Sequence, residues 1–274
     1  MPGAMEVLTG FVTAAGAVFT GVTMAVGNSL TVRNARLDSK VWLLQAWADH
    51  QAAGMLQIRS PKLHDNVRGI RLNNAAGEPG PLLPYKFRQN LVPQDVLIVE
   101  MTGSAVAGDI ETMSLLLYYE DLPGADARVI DAGTLMDRMV NVVTVSQTIA
   151  TGVAGGYSGE EAINAESDLL KANTDYALLG LTTDTDICTL RIRGVDSANL
   201  GIGVPGWETN PAVTGSWFLD LAIAYNMPLI PVFNAANKGG ILIDGAQNEL
   251  GLDPVTSWIF AELSPGALPV PRRA

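Results

Sequence analysis

The chain has 274 residues, enough for one large domain or two of ordinary size, and either can bury a substantial core. With 48% hydrophobic and 16% charged residues it lies far from the composition of disordered chains. Its 17 basic and 28 acidic residues leave a formal charge of −11, which repels phosphate backbones and argues against direct nucleic-acid binding.

The first long feature, Val7 to Val32, carries no charge and is long enough to span a bilayer. Polar Thr9, Thr13, Thr20, Thr23, Asn28 and Ser29 are spread through it, and the only charge before Leu8 is Glu6, so a basic signal-peptide head is missing. It is expected to form β-strands at a subunit or domain surface, without membrane contact. Arg33, Arg36 and Lys40 follow, and Arg272-Arg273 lie near the other end. Both basic groups are too short for a nucleic-acid footprint and read as solvated surface charge.

Strand signals then dominate: short runs of Val, Ile, Leu and Thr broken by Gly, Pro, Asn and Asp. The first-half candidates are Val18–Val26, Leu30–Asn34, Val41–Trp47, Met55–Arg59, Gly69–Leu72, Val96–Met101, Ser114–Glu120 and Val140–Ile149. The second-half candidates are Tyr176–Thr182, Thr189–Arg193, Trp217–Ala224, Leu229–Phe233, Gly240–Ile243 and Ser257–Glu262. So many strands with few helices predict an all-β chain of sandwich or barrel class. The stretch 73–113, rich in Asn, Gly and Pro, reads as a loop insertion and a place for partner contacts. Thr151–Tyr157 is a Gly-rich connection. Ser158-Gly159-Glu160-Glu161 has the capping-box pattern, so one short helix is expected after it, with Ile163, Leu169 and Leu170 as its apolar stripe.

Few residues offer chemistry. Asp49-His50 and His64-Asp65 pair an imidazole with a carboxylate, but neighbours on a strand point to opposite faces, so neither is automatically a dyad. Asp184-Thr185-Asp186 has alternating carboxylates without the later Gly and Glu of an EF-hand, and a solvated turn explains it. Cys188, the one cysteine, sits in an apolar run and reads as a buried thiol. Glu160 and Glu161 are expected at the positive end of a helix dipole. Four of the five tryptophans, Trp42, Trp47, Trp207, Trp217 and Trp258, lie in strand-like runs and favour core packing over sugar platforms. No catalytic, cofactor-binding or metal residue is assigned, no cofactor is implied, and no enzyme activity is expected.

The halves also echo each other. Gly21, Leu30-Thr31-Val32-Arg33, Trp47 and Gly69-Ile70 are answered in order by Gly180, Leu190-Arg191-Ile192-Arg193, Trp207 and Gly240-Ile241. The spacing is about 160 residues, the signature of two similar units. Tyr118-Tyr119-Glu120 and Phe260-Ala261-Glu262 add a later match. The organisation expected is two antiparallel, jelly-roll-like β-sandwiches, residues 1–150 and 151–274, with the short helix between them.

On those paired positions the chain resembles the double jelly-roll capsid proteins of bacterial viruses. The resemblance implies two eight-stranded sandwiches in one polypeptide and self-association as trimers that tile a shell. By that implication the chain is a virion structural protein, a coat or decoration subunit, assembled in the host cytoplasm beside other virion proteins. A carbohydrate-binding lectin or adhesin-like sandwich is the alternative, and a hydrolase using His50 or His64 stands behind both.

Overall fold

The computed structural model describes residues 3–33, 35–36, 39–61, 63, 69–84, 89–150, 152–163, 168–249 and 251–266. His64-Asp65, Arg272-Arg273 and Asn34 lie outside them. The first strands are β1 (Ala4–Thr13), β2 (Thr20–Gly21), β3 (Thr23–Met24), β4 (Val41–Asp49), β5 (Gly54–Arg59), β6 (Ile70–Asn74), β7 (Gln89–Leu91), β8 (Ile98–Thr102) and β9 (Ile110–Tyr119). Then come β10 (Val129–Ile130), helix α1 (Ala132–Arg138), β11 (Met139–Thr148), β12 (Glu161–Ala162), β13 (Asp175–Thr183), β14 (Ile187–Arg193) and β15 (Ile202–Gly206). Helices α2 (Pro211–Gly215) and α3 (Trp217–Tyr225) precede β16 (Ile230–Asn234), β17 (Leu242–Ala246) and β18 (Val255–Leu263).

The chain is all-β, and its strands form four antiparallel sheets. The orders are β3-β1-β9-β4-β7 and β2-β8-β5-β6 in the first half, β11-β18-β13-β16-β10 and β12-β17-β14-β15 in the second. Setting aside the extra edge strands β3 and β10, the two halves repeat one order. Strands β1, β2 and β4 to β9 correspond in turn to β11, β12 and β13 to β18. Both long central strands even break register at the same place, between Leu43 and Gln45 in β4 and between Leu178 and Gly180 in β13.

This repeat has a different register from the one expected. Leu56-Gln57-Ile58-Arg59 of β5 corresponds to Leu190-Arg191-Ile192-Arg193 of β14, because Leu56 faces Leu72 and Met101 as Leu190 faces Val204 and Gly245. Likewise Ile98-Val99-Glu100 of β8 corresponds to Leu242-Ile243-Asp244 of β17. The pairs Gly21/Gly180, Leu30–Arg33/Leu190–Arg193, Trp47/Trp207 and Gly69-Ile70/Gly240-Ile241 fall on strands that do not correspond. Leu30–Arg33 forms only a bridge, Thr31 to Val96. Tyr118–Glu120 and Phe260–Glu262 do fall at equivalent strands, β9 and β18.

Four further expectations are corrected. The stretch 73–113 contains β7, β8 and the start of β9, so it supplies sheet strands in addition to loops. The change of sheet partner comes between Tyr119 and Val129, ahead of residue 150: β11 pairs with β18. The helix expected from Ser158 is absent over residues 158–163, where Glu161-Ala162 pairs with Ile243-Leu242 and Ser158 Oγ accepts from the Gly245 amide. A local capping pattern loses there to a sheet edge in need of a strand. Trp217–Ala224, expected as a strand, is helical: a short apolar run does not distinguish a strand from a buried helix. Its buried residues Trp217, Phe218, Leu221, Ala222 and Tyr225 recur at helical spacing, and left-handed Asn226 ends it. Helix α1 follows Asp131, whose carboxylate accepts the Thr134 amide at its start.

The first core lies between the two sheets of the first half, around Leu8, Leu43, Leu56, Leu115 and Leu117. The second contains the second half's interior and also Met5, Val7, Leu44, Trp47, Leu116 and Tyr118, which point outward from the first half. Strands β1, β4 and β9 are therefore buried on both faces, which removes the usual alternation of apolar and polar residues. That explains the lack of charge over Val7–Thr13, where β1 is interior sheet; residues 14–32, equally uncharged, are mostly exposed or half-buried. Among the described residues no helix is long and apolar enough to cross a membrane.

Candidate functional site

The joint between the halves is built on Trp47 and a row of hydroxyls. Trp47 Nε1 donates to the Cys188 carbonyl at 2.7 Å and Thr189 Oγ1 at 3.0 Å, and its ring meets Trp217 edge-on at 5.7 Å. Thr9 Oγ1 lies 2.6 Å from Ser114 Oγ, which lies 2.5 Å from Thr189 Oγ1, and Tyr157 donates to Thr9 Oγ1 at 2.7 Å. The Val7 amide donates to the Gly201 carbonyl at 2.8 Å. Beside it, Gly203 has no room for a side chain, since a Cβ there would lie 2.7 Å from Val7.

At one end of this joint opens a polar cleft of about 470 Å³, lined by Asp49, His50, Gln51, Ala76 and Gly77 from the first half and by Thr185, Asp186, Glu208, Asn248, Glu249 and Leu252 from the second. It gathers three features that stood far apart in the sequence: Asp49-His50, Asp186 and Glu208. All lie at strand ends on one side of the molecule. Among the described residues, no lysine or arginine lines the cleft.

The electrostatics follow from burial among like charges. Asp49 is 2% exposed, and desolvation together with the carboxylates of Asp186, Glu111 and Glu249 pushes its carboxyl up to about 7. Its Oδ1 has no hydrogen-bond partner. His50 is fully buried; desolvation pushes its imidazole down to about 4, so it is neutral at pH 7. Its Nδ1 sits 3.3 Å from the Asn74 amide nitrogen, while Nε2 is unpartnered. Glu111 and Asp186 are also raised, mainly by burial. Glu111 is held by the amides of Gln51 and Ser104, and Asp186 by the amide of Glu208.

Carboxyls raised in this way keep their protons to higher pH than free ones do. No hydrogen bond joins Asp49 to His50, so the pair lacks the geometry of a general-base dyad. Among the described residues no three His, Cys, Asp or Glu side chains are placed to hold a metal. Glu111 and Glu249 were not singled out from the sequence; their segments are remote, and only the strand-end positions unite them. Cys188 is buried, its thiol pushed up to about 12 mainly by desolvation, which leaves it unreactive. Asp184 closes a turn by accepting the Val255 amide. Glu160 pairs with Arg193 at the sheet edge, with no helix dipole there.

The basic residues near the first end are dispersed. Arg33 grips Glu6 through both carboxylate oxygens, Arg36 pairs with Asp121 at 3.1 Å, and Lys40 lies over the Trp42 ring at 5.6 Å. Of the tryptophans, Trp47, Trp217 and Trp258 are fully buried and Trp42 and Trp207 are half-buried.

No family model and no curated protein matches the chain. A solved structure with similarity is the PBSX exported protein XepA, at 12% sequence identity and a TM-score of 0.26, over 95% of this chain and 86% of that one.

Proposed function

We propose that this chain is a virion structural protein, a coat or decoration subunit that acts by self-assembly and turns over no substrate. The observation that carries the reading is the repeated strand order. Without the extra edge strands β3 and β10, each half has eight strands in two four-stranded sheets, which supports a double jelly roll, a fold used by virus shells. The matching of Leu56–Arg59 with Leu190–Arg193 supports an origin by internal duplication. The uncharged, doubly buried sheet at the joint supports a protein built to pack β-sandwiches against one another.

In this reading the partners are further copies and other virion proteins, the location is the virion, and nucleic acid is not contacted. The lectin alternative loses its main support, since none of the tryptophans is exposed to stack on a sugar. Native mass combined with negative-stain microscopy of the purified chain tests the proposal. Defined oligomers, trimers foremost, or sheets or shells are expected. A strictly monomeric protein at tens of micromolar would overturn it.

A further inference from the structure

The acidic cleft at the end of the joint holds an acceptor that the chain itself leaves unmet. Asp49 stands two residues beyond Trp47 on β4, so its side chain shares the face that meets the second half, and it forms part of the cleft wall. It is 2% exposed and its Oδ1 has no hydrogen-bond partner, whereas buried polar atoms are normally paired. The other acidic side chains of the wall come from separate elements: Asp186 from the turn between β13 and β14, Glu208 from the loop after β15 and Glu249 from the loop after β17. Glu111 of β9 adds its charge to that on Asp49, and Glu78, after β6, adds its charge to that on Asp186.

Elsewhere the chain meets its half-buried carboxylates with arginine: Arg191 with Asp244, Arg128 with Asp175 and Arg59 with Glu100. At the cleft the donors are neutral. The Gln51 and Ser104 amides reach Glu111, the Gln51 side chain reaches Glu249 at 3.0 Å, and the Glu208 amide reaches Asp186 at 2.8 Å. The charges therefore invite a cation, and the placement of the acceptors decides its kind. Among the described residues no three ligating side chains converge on a point, so a metal ion would find no coordination sphere. A guanidinium or ammonium group needs none, because its several N–H donors can meet separate acceptors at once. A cleft of about 470 Å³ has the size of a small-ligand site.

We propose that this cleft binds an organic cation of the guanidinium or ammonium class, with Asp49 as its central acceptor and Asp186, Glu208 and Glu249 around it. Such a group gives the Asp49 carboxylate the donor it lacks and replaces repulsion among the carboxylates with attraction to a shared cation. A free amine and the lysine or arginine side chain of another protein share this chemistry. Binding favours ionised Asp49. Its carboxyl, raised to about 7 by burial and by Asp186, Glu111 and Glu249, is mostly protonated at pH 6 and mostly ionised at pH 8, so affinity rises about tenfold between them. His50 is neutral and the Cys188 thiol protonated over that range, so neither adds charge.

The test is isothermal titration calorimetry on the full chain at pH 6 and pH 8, with two probes. Agmatine represents a free amine, and acetyl-arginine methylamide represents the side chain of a polypeptide. Asp49→Asn and Glu249→Gln are the cleft variants, and Asp137→Asn, at an exposed position of α1, makes the same change in net charge away from the cleft. The expected result is one cation bound per chain. Asp49→Asn weakens it about tenfold or more and abolishes the pH dependence, Glu249→Gln weakens it about threefold, and Asp137→Asn leaves it unchanged. Tighter binding of agmatine assigns the site to a free amine, and tighter binding of the capped arginine assigns it to a partner's side chain. No heat from either probe at millimolar concentration, or equal weakening by all three variants, overturns the proposal. Far-UV circular dichroism verifies the fold, and if Asp49→Asn does not fold, Glu249→Gln against Asp137→Asn decides.

Discussion

Two faces of the same design meet different fates in this molecule. The outer side of β1 and β9 is covered by the second half, whereas on the corresponding side of β11 and β18 the β11 side chains are exposed and β18 is partly covered by the chain's own helices. The covered face carries Met5, Val7, Leu116 and Tyr118, large apolar groups that are stable only away from water. The same register positions of the second half hold smaller or more polar side chains: Val142 and Thr144 are exposed, Ile259 is half-buried against Gly215 of α2, and Ala261 is buried. The difference teaches that one strand order can be finished either as a closed joint or as a sheet side that meets water, according to the side chains it carries. Changes at the joint should therefore cost more than changes at exposed β11, as the following variants test.

Trp47→Ala is the largest expected loss. The substitution empties a fully buried site, removes the edge-on contact with Trp217 and strips a donor from the Cys188 carbonyl. Such truncations cost about 3–5 kcal/mol, read as a lower urea midpoint. Val142→Ala, on exposed β11, is expected to stay within about 0.5 kcal/mol of wild type in the monomer. Equal effects from the two changes would show that the halves do not depend on their joint.

The cleft at the end of the joint predicts opposing pH limbs from adjacent residues. Asp49 is raised to about 7 in the fold, so its contribution is fully present below its unfolded value near 3.8 and is lost as pH rises through 7. His50 is lowered to about 4, so its contribution is present above 6.5 and is lost as pH falls through 4. Asp49→Asn should therefore flatten the decline between about pH 4 and 7, an effect of roughly 2–4 kcal/mol. His50→Asn should flatten the acid side. Urea unfolding from pH 4 to 8 checks both, and an unchanged slope in Asp49→Asn would remove the carboxyl from the account.

Gly203→Ala probes how closely the halves approach. The new methyl would lie 2.7 Å from Val7, so the strands at the joint must part, an overpacking cost of about 1–3 kcal/mol. Gly239→Ala, where a Cβ meets open space, is the matched control. Unfolding midpoints separate the two, and an undisturbed Gly203→Ala would mean that β1 and β15 have slack.

Much of the fold could be read from local pattern. Val41–Trp47, Val140–Ile149, Tyr176–Thr182 and Ser257–Glu262, read as strands from short apolar runs, all lie in long strands. The register of the repeat could not be read in that way. Short motifs of the form Leu-x-Val/Ile-Arg suit any strand with one buried face, so Leu30–Arg33 competed with the true match, Leu56–Arg59. Only the pairing of Leu56 with Leu72 and Met101 separates them. Helix α3 was hidden because a fully buried helix and a buried strand share one composition. The cleft was half visible, as isolated carboxylates, since strand ends converge only once sheet order is known.

The two hydroxyl pairs give the smallest and most discriminating comparison. Ser114→Ala leaves Thr9 and Thr189 without the oxygen that joins them inside a closed interface, where an unmet hydroxyl costs about 1–3 kcal/mol. Ser257→Ala removes the equivalent oxygen beside Ser146, where water replaces it, so the monomer should change by no more than about 0.5 kcal/mol. Urea midpoints of the two variants read the difference, and equal losses would mean that the Ser146–Ser257 pair is as closed to water as the pair at the joint, so that the likeness of the two sheets extends from their geometry to their burial.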